Sequence, residues 1–361
     1  MKISQLIGAT ATALITSVGI ASVAQAITTR HDVWDEEYIR LGNAYPSVGF
    51  MSAPGDPYFC SGTLIAPRWV LTAAHCVDRL SRFGSFNIGR SSYSIARSRA
   101  YQPQLWRKWR TSPRRRSLYI GADIGLLRLH RPVRNVRPAL LFPRRWAEVT
   151  PRRRVGTYVG FGNTGTGLTG DSTYSVLKRG AYNAIDAYGS RYGWSRRLII
   201  SDFDNPTGLG SLDNPLGSSV PYNLEGSIAN GDSGGGLFIG ARLVNGRFFG
   251  GRLAGVNAFM YSNPSSYLDD TPDSDYGDIM AATRVRPFIP WIASIIRRNS
   301  IAASSLSLTN NSSTNRLNTN STTEATSATR SQTIPEPSTV TGLLALAGLF
   351  ALVRFGQSKS V

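Results

Sequence analysis

A serine hydroxyl is a weak nucleophile until a base takes its proton, and the oxyanion formed by its attack needs backbone N–H donors that converge on one point. Residues 230–238, Asn-Gly-Asp-Ser-Gly-Gly-Gly-Leu-Phe, place Ser233 among Gly231, Gly234, Gly235 and Gly236. Glycines there permit a tight turn and close approach of a second chain, although a plain glycine-rich hairpin would read the same way in isolation. A base is available at His75, one of three histidines with His31 and His130, inside the run from Cys60 to Cys76. Two strand-like apolar stretches separated by Pro67 fold back there, so that Cys60 can bridge Cys76 and fix the backbone beside His75. A histidine needs such fixing to act as a base, because its ring position and tautomer must be set before reaction. On its own it also reads as a core histidine beside a structural disulfide. Asp123 opens the apolar run Ile-Gly-Leu-Leu-Arg-Leu. Alone it reads as a turn residue, but beside His75 and Ser233 it reads as the carboxylate that holds an imidazole in its useful tautomer.

The order His75, Asp123, Ser233, in the contexts Thr-Ala-Ala-His-Cys, Asp-Ile-Gly-Leu-Leu and Gly-Asp-Ser-Gly-Gly, resembles the chymotrypsin-like serine endopeptidases over roughly residues 45–298. Gly160-Phe161-Gly162, the strand at 253–256 and the stretch from Thr283 to Ile292 agree with that resemblance. It implies an all-β fold of two packed six-stranded barrels with a C-terminal helix and the triad between the barrels. It further implies Ser233 as nucleophile, His75 as general base then acid, Asp123 as its orienter, and the Gly231 and Ser233 amides as oxyanion hole. No cofactor and no metal are implied, and two cysteines cannot supply a four-thiolate zinc site.

The pocket residues depart from the trypsin pattern. Ser227, six residues before Ser233, stands where a trypsin-like enzyme has an aspartate, and Met260 follows Asn257-Ala258-Phe259 where the family more often has Ser-Trp-Gly. Ser227 does not support a preference for basic residues, and Met260 narrows the pocket, which points to apolar or small side chains. The acidic loop 269–278 carries five carboxylates in ten residues and reads chiefly as a solvated loop, with calcium binding as the alternative. Family zymogens free an N-terminal isoleucine that pairs with the aspartate before the nucleophile, here Asp232. Removal of a leader after Ala26 would expose Ile27, although Thr28-Thr29-Arg30 lacks the usual glycines.

These residues must be carried by short strands. Apolar, β-branched-rich stretches recur at 46–51, 63–71, 124–129, 155–160, 237–243 and 252–259, punctuated by Gly and Pro, and helical spacing is clear only over 288–296. No fixed-period repeat is visible. The chain has 361 residues, a net charge of +18 and 41% hydrophobic residues, enough for a packed core. The positive charge is almost all arginine, 36 Arg against 4 Lys, which favours planar contacts to carboxylate, sulfate or phosphate.

Both ends read as targeting segments. Lys2, the apolar run 6–23 and Ala24-Gln25-Ala26 form a secretory signal at 1–26. The domain then spans 27–299. Residues 300–333, rich in Ser, Thr, Asn and Ala, read as a disordered stalk. Pro335-Glu336-Pro337, the apolar helix 339–353 and the basic Arg354 and Lys359 resemble a PEP-CTERM sorting signal, which implies handling by an exosortase-type enzyme, transient or permanent membrane anchoring and delivery to the cell surface or outside. Between Arg97 and Arg154 lie 16 arginines and Lys108 against Asp123 and Glu148, with Trp106, Trp109 and Trp146 interleaved. That stretch reads as a solvated surface or a dock for anionic polysaccharide, with nucleic acid the least expected partner of an exported protein. The sequence thus points to an exported serine endopeptidase acting on polypeptides, the alternative being an idle, arginine-rich matrix-binding module on the same fold.

Overall fold

The computed structural model describes residues 26–314 except 81–82, 110–117, 175, 208–213, 218–219, 245–246, 263–270 and 272. Six strands close the first barrel: β2 (Val48–Ala53), β3 (Asp56–Ala66), β4 (Trp69–Thr72), β5 (Phe83–Ile88), β6 (Ser91–Tyr101) and β7 (Gly125–Leu129). Their order is β2-β3-β4-β7-β6-β5, with β2 pairing β5 to seal the ring. Burial drives the closure, since Met51, Leu64, Val70, Leu71, Phe86, Leu126 and Leu127 are all fully buried in one cluster. The short helix α2 (Ala74–Arg79) leaves β4 and carries His75. It lies so close to β7 that a methyl added at Gly125 would meet Val77 Cγ2 at 2.6 Å, which accounts for glycine two residues after Asp123.

The second half is a seven-stranded antiparallel sheet. Its strands are β8 (Arg154–Gly160), β10 (Arg179–Ile185), β11 (Ala187–Tyr188), β12 (Leu198–Asp202), β14 (Gly236–Val244), β15 (Arg247–Tyr261) and β16 (Ile279–Arg284), in the order β10-β8-β14-β15-β16-β12-β11. The chymotrypsin-like architecture is thus present, with one difference from the expected pair of six-stranded barrels: this sheet is open between β10 and β11. Helix α1 (Asp35–Asn43) covers the β10 edge, where a methyl on Gly42 would lie 2.6 Å from the Arg179 backbone. There the fully buried Arg179 guanidinium is held bidentately by Asp35.

A third, small sheet lies at the N-terminus. In it β1 (Ile27–Thr29) runs antiparallel to β13 (Gly226–Ser227) and parallel to β9 (Thr164–Thr166). The last helix, which we label α4 (Ile289–Thr314) after α3 (Gln104–Trp109), sets Trp291, Ile292, Ile295 and Ile296 against the core of the first barrel, and Tyr101 donates to Asn299 Oδ1 at 2.9 Å. The helical spacing read at 288–296 is real. The helix continues through Thr314, so the beginning of the segment read as a disordered stalk is helical, in keeping with its alanines and leucines at 302–308. Among the described residues, those up to Ala303 form one compact unit, to which Ser304–Thr314 do not belong. No helix among the described residues is long and apolar enough to cross a membrane, and both the N-terminal apolar run and the 339–353 segment lie outside them.

The Arg97–Arg154 stretch is less uniformly exposed among its described residues than its composition suggests. Trp106 is buried and donates its indole N–H to Asp78 at 3.0 Å, Arg131 stacks on Tyr93 at 4.5 Å, and Trp146 remains 43% exposed.

Under the second sheet Asp186, Asp202 and Glu225 are gathered with Arg153, whose guanidinium lies 3.3 Å from Asp186. Burial first, then mutual repulsion, pushes Asp186 up to about 8, and burial pushes Glu225 up to about 8. The folded protein therefore keeps protons that the unfolded chain releases near pH 4, so this contribution to stability is fully present below pH 4 and is lost as pH rises towards 8. Melting curves should show a wild-type Tm that falls between pH 5 and 8.5. Asp186→Asn should flatten that slope and raise Tm at pH 8.5 by ~2–4 °C, about 1 kcal/mol for a domain of this size. A wild-type Tm that rises over the same interval would contradict this.

Candidate active site

His75 and Asp123 come from the first barrel, on α2 and at the mouth of β7. The Asp123 side chain is wholly buried and uses both oxygens on the same residue. Oδ1 accepts the His75 backbone N–H at 2.9 Å and Oδ2 lies 2.7 Å from Nδ1. With the proton held on Nδ1, the Nε2 lone pair is left facing outward, and the His75 side chain keeps 29% of its exposure. Burial pulls the His75 pKa down, but the charge and hydrogen bond of Asp123 outweigh it and raise the pKa above its ordinary value. Cys60 and Cys76 are disulfide-bonded with Cα atoms 6.1 Å apart, tying α2 back to β3.

The Ser233 turn leads into β14 of the second sheet and is pressed against the same place. The Ser233 carbonyl accepts the backbone N–H of Ser61, the neighbour of Cys60, at 2.8 Å. A methyl added at Gly234 would lie 2.1 Å from Thr72 Oγ1 and 3.0 Å from Ala73 N, so the turn passes two residues from His75. Gly231 and Gly234 have φ of +95° and +85°, the left-handed region where a side chain is strained, and this is why the motif requires glycine at both. Gly234 N–H donates to Asn257 O at 2.8 Å and Gly235 N–H to Asp232 O at 2.9 Å. The backbone N–H groups of Gly231 and Ser233 have no acceptor among the described residues. Two unspent donors flank the serine, the arrangement needed to stabilise an anion.

Asp232 fixes this turn from within. Its carboxylate is fully buried and accepts from Gly162 N–H at 2.8 Å, Ala229 N–H at 2.8 Å and Ile27 N–H at 3.2 Å. Burial, which outweighs these bonds, pushes Asp232 up to about 7. Ile27, also fully buried, has φ of +65°, an uncommon conformation for a β-branched residue.

The structure thus brings His75, Asp123, Gly231 and Ser233 to one junction, while Ser227 and Met260 make no contact with these four among the hydrogen bonds and strand pairings of the described residues. Ser227 is fully buried in β13, paired with Thr28, and Met260 is partly exposed in β15, paired with Met280. Sequence reasoning missed Ser61, whose hydroxyl accepts Phe161 N–H at 2.9 Å and donates to Gly231 O at 3.1 Å, joining the first barrel to the second sheet across the Ser233 turn. Its only sequence signal is its position between Cys60 and Gly62. It also missed Asp171, which receives the backbone N–H and side-chain amide of Asn230, each at 2.8 Å. Of the acidic loop, Asp273, Asp275 and Asp278 bring carboxylate oxygens within 4.8 Å of one another, the nearest approach to a cation-binding group among the described residues once the disulfide removes Cys60 and Cys76.

A histidine bonded to a buried carboxylate in a closed barrel and a glycine-held serine turn in a second antiparallel sheet accord with the chymotrypsin-like fold. The comparisons agree, for the family model described as Trypsin matches residues 40–292. The chain belongs to the trypsin family. A curated relative, snake venom serine protease HS112 from Bothrops jararaca, is 33% identical over 93 residues, which is 26% of this chain and 34% of that protein. The chain therefore spans about a third of that relative's length. Among solved structures, neuropsin, a serine protease expressed in the limbic system of mouse brain, is 19% identical with a TM-score of 0.49, covering 74% of this chain and 98% of that one.

The pairing of His75 with Asp123 can be read directly. In NMR titration the His75 imidazole should show a midpoint above 6.5, and Asp123→Asn should bring it below 6.5, since burial would then act without the opposing charge. A midpoint that does not move would separate the two residues.

Proposed function

We propose that this chain is an exported serine endopeptidase that cleaves polypeptides through an acyl-enzyme on Ser233. The observation that carries this reading is the buried Asp123 bonded to both the backbone and the ring of His75, beside a serine turn with two free N–H donors. In the reaction, Ser233 Oγ attacks the scissile carbonyl carbon while His75 Nε2 takes its proton. The resulting oxyanion sits between the N–H groups of Gly231 and Ser233. Asp123 stabilises the imidazolium, which then gives its proton to the departing amine. Water, deprotonated by His75, releases the acyl group by the same route.

Substrate binding follows from the sheet. After Val256, which pairs with Gly236, β15 has only β16 as a strand neighbour among the described residues, so the edge of residues 258–261 offers itself to an extended peptide. That edge continues from Asn257, whose carbonyl holds Gly234, and would deliver the scissile bond to Ser233.

Export is part of the same reading. Cleavage after Ala26 would turn the Ile27 N–H, 3.2 Å from Asp232, into an ammonium. That cut would also relieve the left-handed backbone at Ile27 and place a positive charge directly on the buried Asp232 carboxylate. The C-terminal Pro-Glu-Pro segment would then be the address read by an exosortase-type enzyme, and the exposed arginines the surface available to anionic polysaccharide. The alternative of an idle binding module finds no specific support at the site, whose glycines and donors serve catalysis.

Three outcomes are expected. Ser233→Ala should lower peptide hydrolysis by on the order of 10⁴-fold or more, and Asp123→Asn by about 10⁴-fold. A Ser233→Ala protein as active as wild type would overturn the reading. Protein beginning at Ile27 should hydrolyse peptides ~10²-fold faster than protein retaining residues before it, the scale of one oxyanion donor. Equal rates for the two forms would exclude a role for the new terminus.

A further inference from the structure

Two chain segments border Ser233. Residues 227–231 run into the nucleophile turn, and the end of β15 leaves from Asn257, which is bonded to Gly234 and Gly235. A substrate whose carbonyl lies at Ser233 places its adjoining side chain between them. In this protein the two walls are tied together by Ser274. Its hydroxyl donates to Ile228 O at 2.5 Å and lies against Met260 Sδ. Ser274 is fully buried, has φ of +72°, and is anchored by its own N–H, which donates to Asp278 Oδ2 at 2.9 Å. Ile228 and Met280, at 2% and 0% exposure, fill the same depth in one apolar cluster, with Met260 packed against it.

We propose that Ser274 and Met260 close this slot, so that the enzyme cleaves after small uncharged side chains: glycine, alanine or serine. The proposal rests on the endopeptidase reading above and names its substrate class. A leucine, phenylalanine or arginine side chain would have to displace Met260 or break the Ser274 bridge, and a packed interior resists added volume. Ser227 is buried in β13, and the Asp278 carboxylate is engaged by the Ser274 backbone.

The test is a peptide library varied at the residue before the cleaved bond, applied to wild type, Met260→Gly and Ser274→Gly. Glycine at 274 keeps the left-handed backbone, which protects folding. Each protein is first titrated with a sulfonyl fluoride to count reactive Ser233. Wild type should cleave after alanine, glycine or serine at least about tenfold faster than after leucine, phenylalanine or arginine, and both variants should raise relative cleavage after leucine and phenylalanine about tenfold. A wild-type preference for phenylalanine, arginine or lysine, or profiles unchanged in both variants, would overturn the proposal while leaving the endopeptidase reading intact. Failure of folded wild type to react with the sulfonyl fluoride would refute the endopeptidase reading itself, and the proposal with it.

Discussion

The buried carboxylate of Asp232 is the constraint on which the rest of the site depends. A carboxylate removed from water is costly unless donors surround it, and here three backbone N–H groups from distant parts of the chain do so: Ile27, Gly162 and Ala229. Satisfying that one side chain draws the N-terminal strand, the loop after β8 and the segment before the nucleophile to a single point. The neighbours of Asp232 are then fixed in consequence. Gly231 is held at φ +95° and Ser233 is presented with its N–H unspent. A methyl on Gly162 would lie 2.5 Å from Asp232 N, so glycine is needed there for the approach.

The second requirement is that the first barrel and the second sheet hold His75 and Ser233 at one junction. The first barrel supplies His75 and Asp123, and the Cys60–Cys76 bridge, closing a stretch of sequence separation 16, contributes about 3 kcal/mol in the loop-entropy account while fixing α2. The second sheet supplies Ser233. Ser61 joins them, through its backbone N–H to Ser233 O and its hydroxyl to Gly231 and Phe161. Rigid elements on both sides with a few hydrogen bonds between them are what preorganised catalysis requires.

Much of this was legible in the sequence because some positions admit few residue types. Left-handed turns at 231 and 234 demand glycine, the close packing of α2 on β7 demands Gly125, and the helical spacing at 288–296 marks the face that meets the first barrel. Strands β2, β3, β4, β7, β8, β14 and β15 announced themselves as apolar runs. Others did not: β6 carries serines and arginines along its length, and α1 contains Gly42 and Asn43 and lacks a side-chain N-cap, so its place is set by Arg179 reaching Asp35. Whether the second sheet closes depends on whether its edge strands β10 and β11, separated in the chain by Asp186 alone, pair with each other, which the composition of neither strand reports. Ser61 and Ser274 were silent because their partners lie 170 and 46 residues away.

The central claim is that Ser233 is an activated nucleophile in an assembled oxyanion site. It is tested most directly by treating the folded protein beginning at Ile27 with a fluorophosphonate and locating the adduct by peptide mass mapping. The account predicts one phosphonyl group per chain, on Ser233, absent in Ser233→Ala and strongly reduced in Asp232→Asn. Folded protein that takes up no label, or takes it up at another residue, would contradict it.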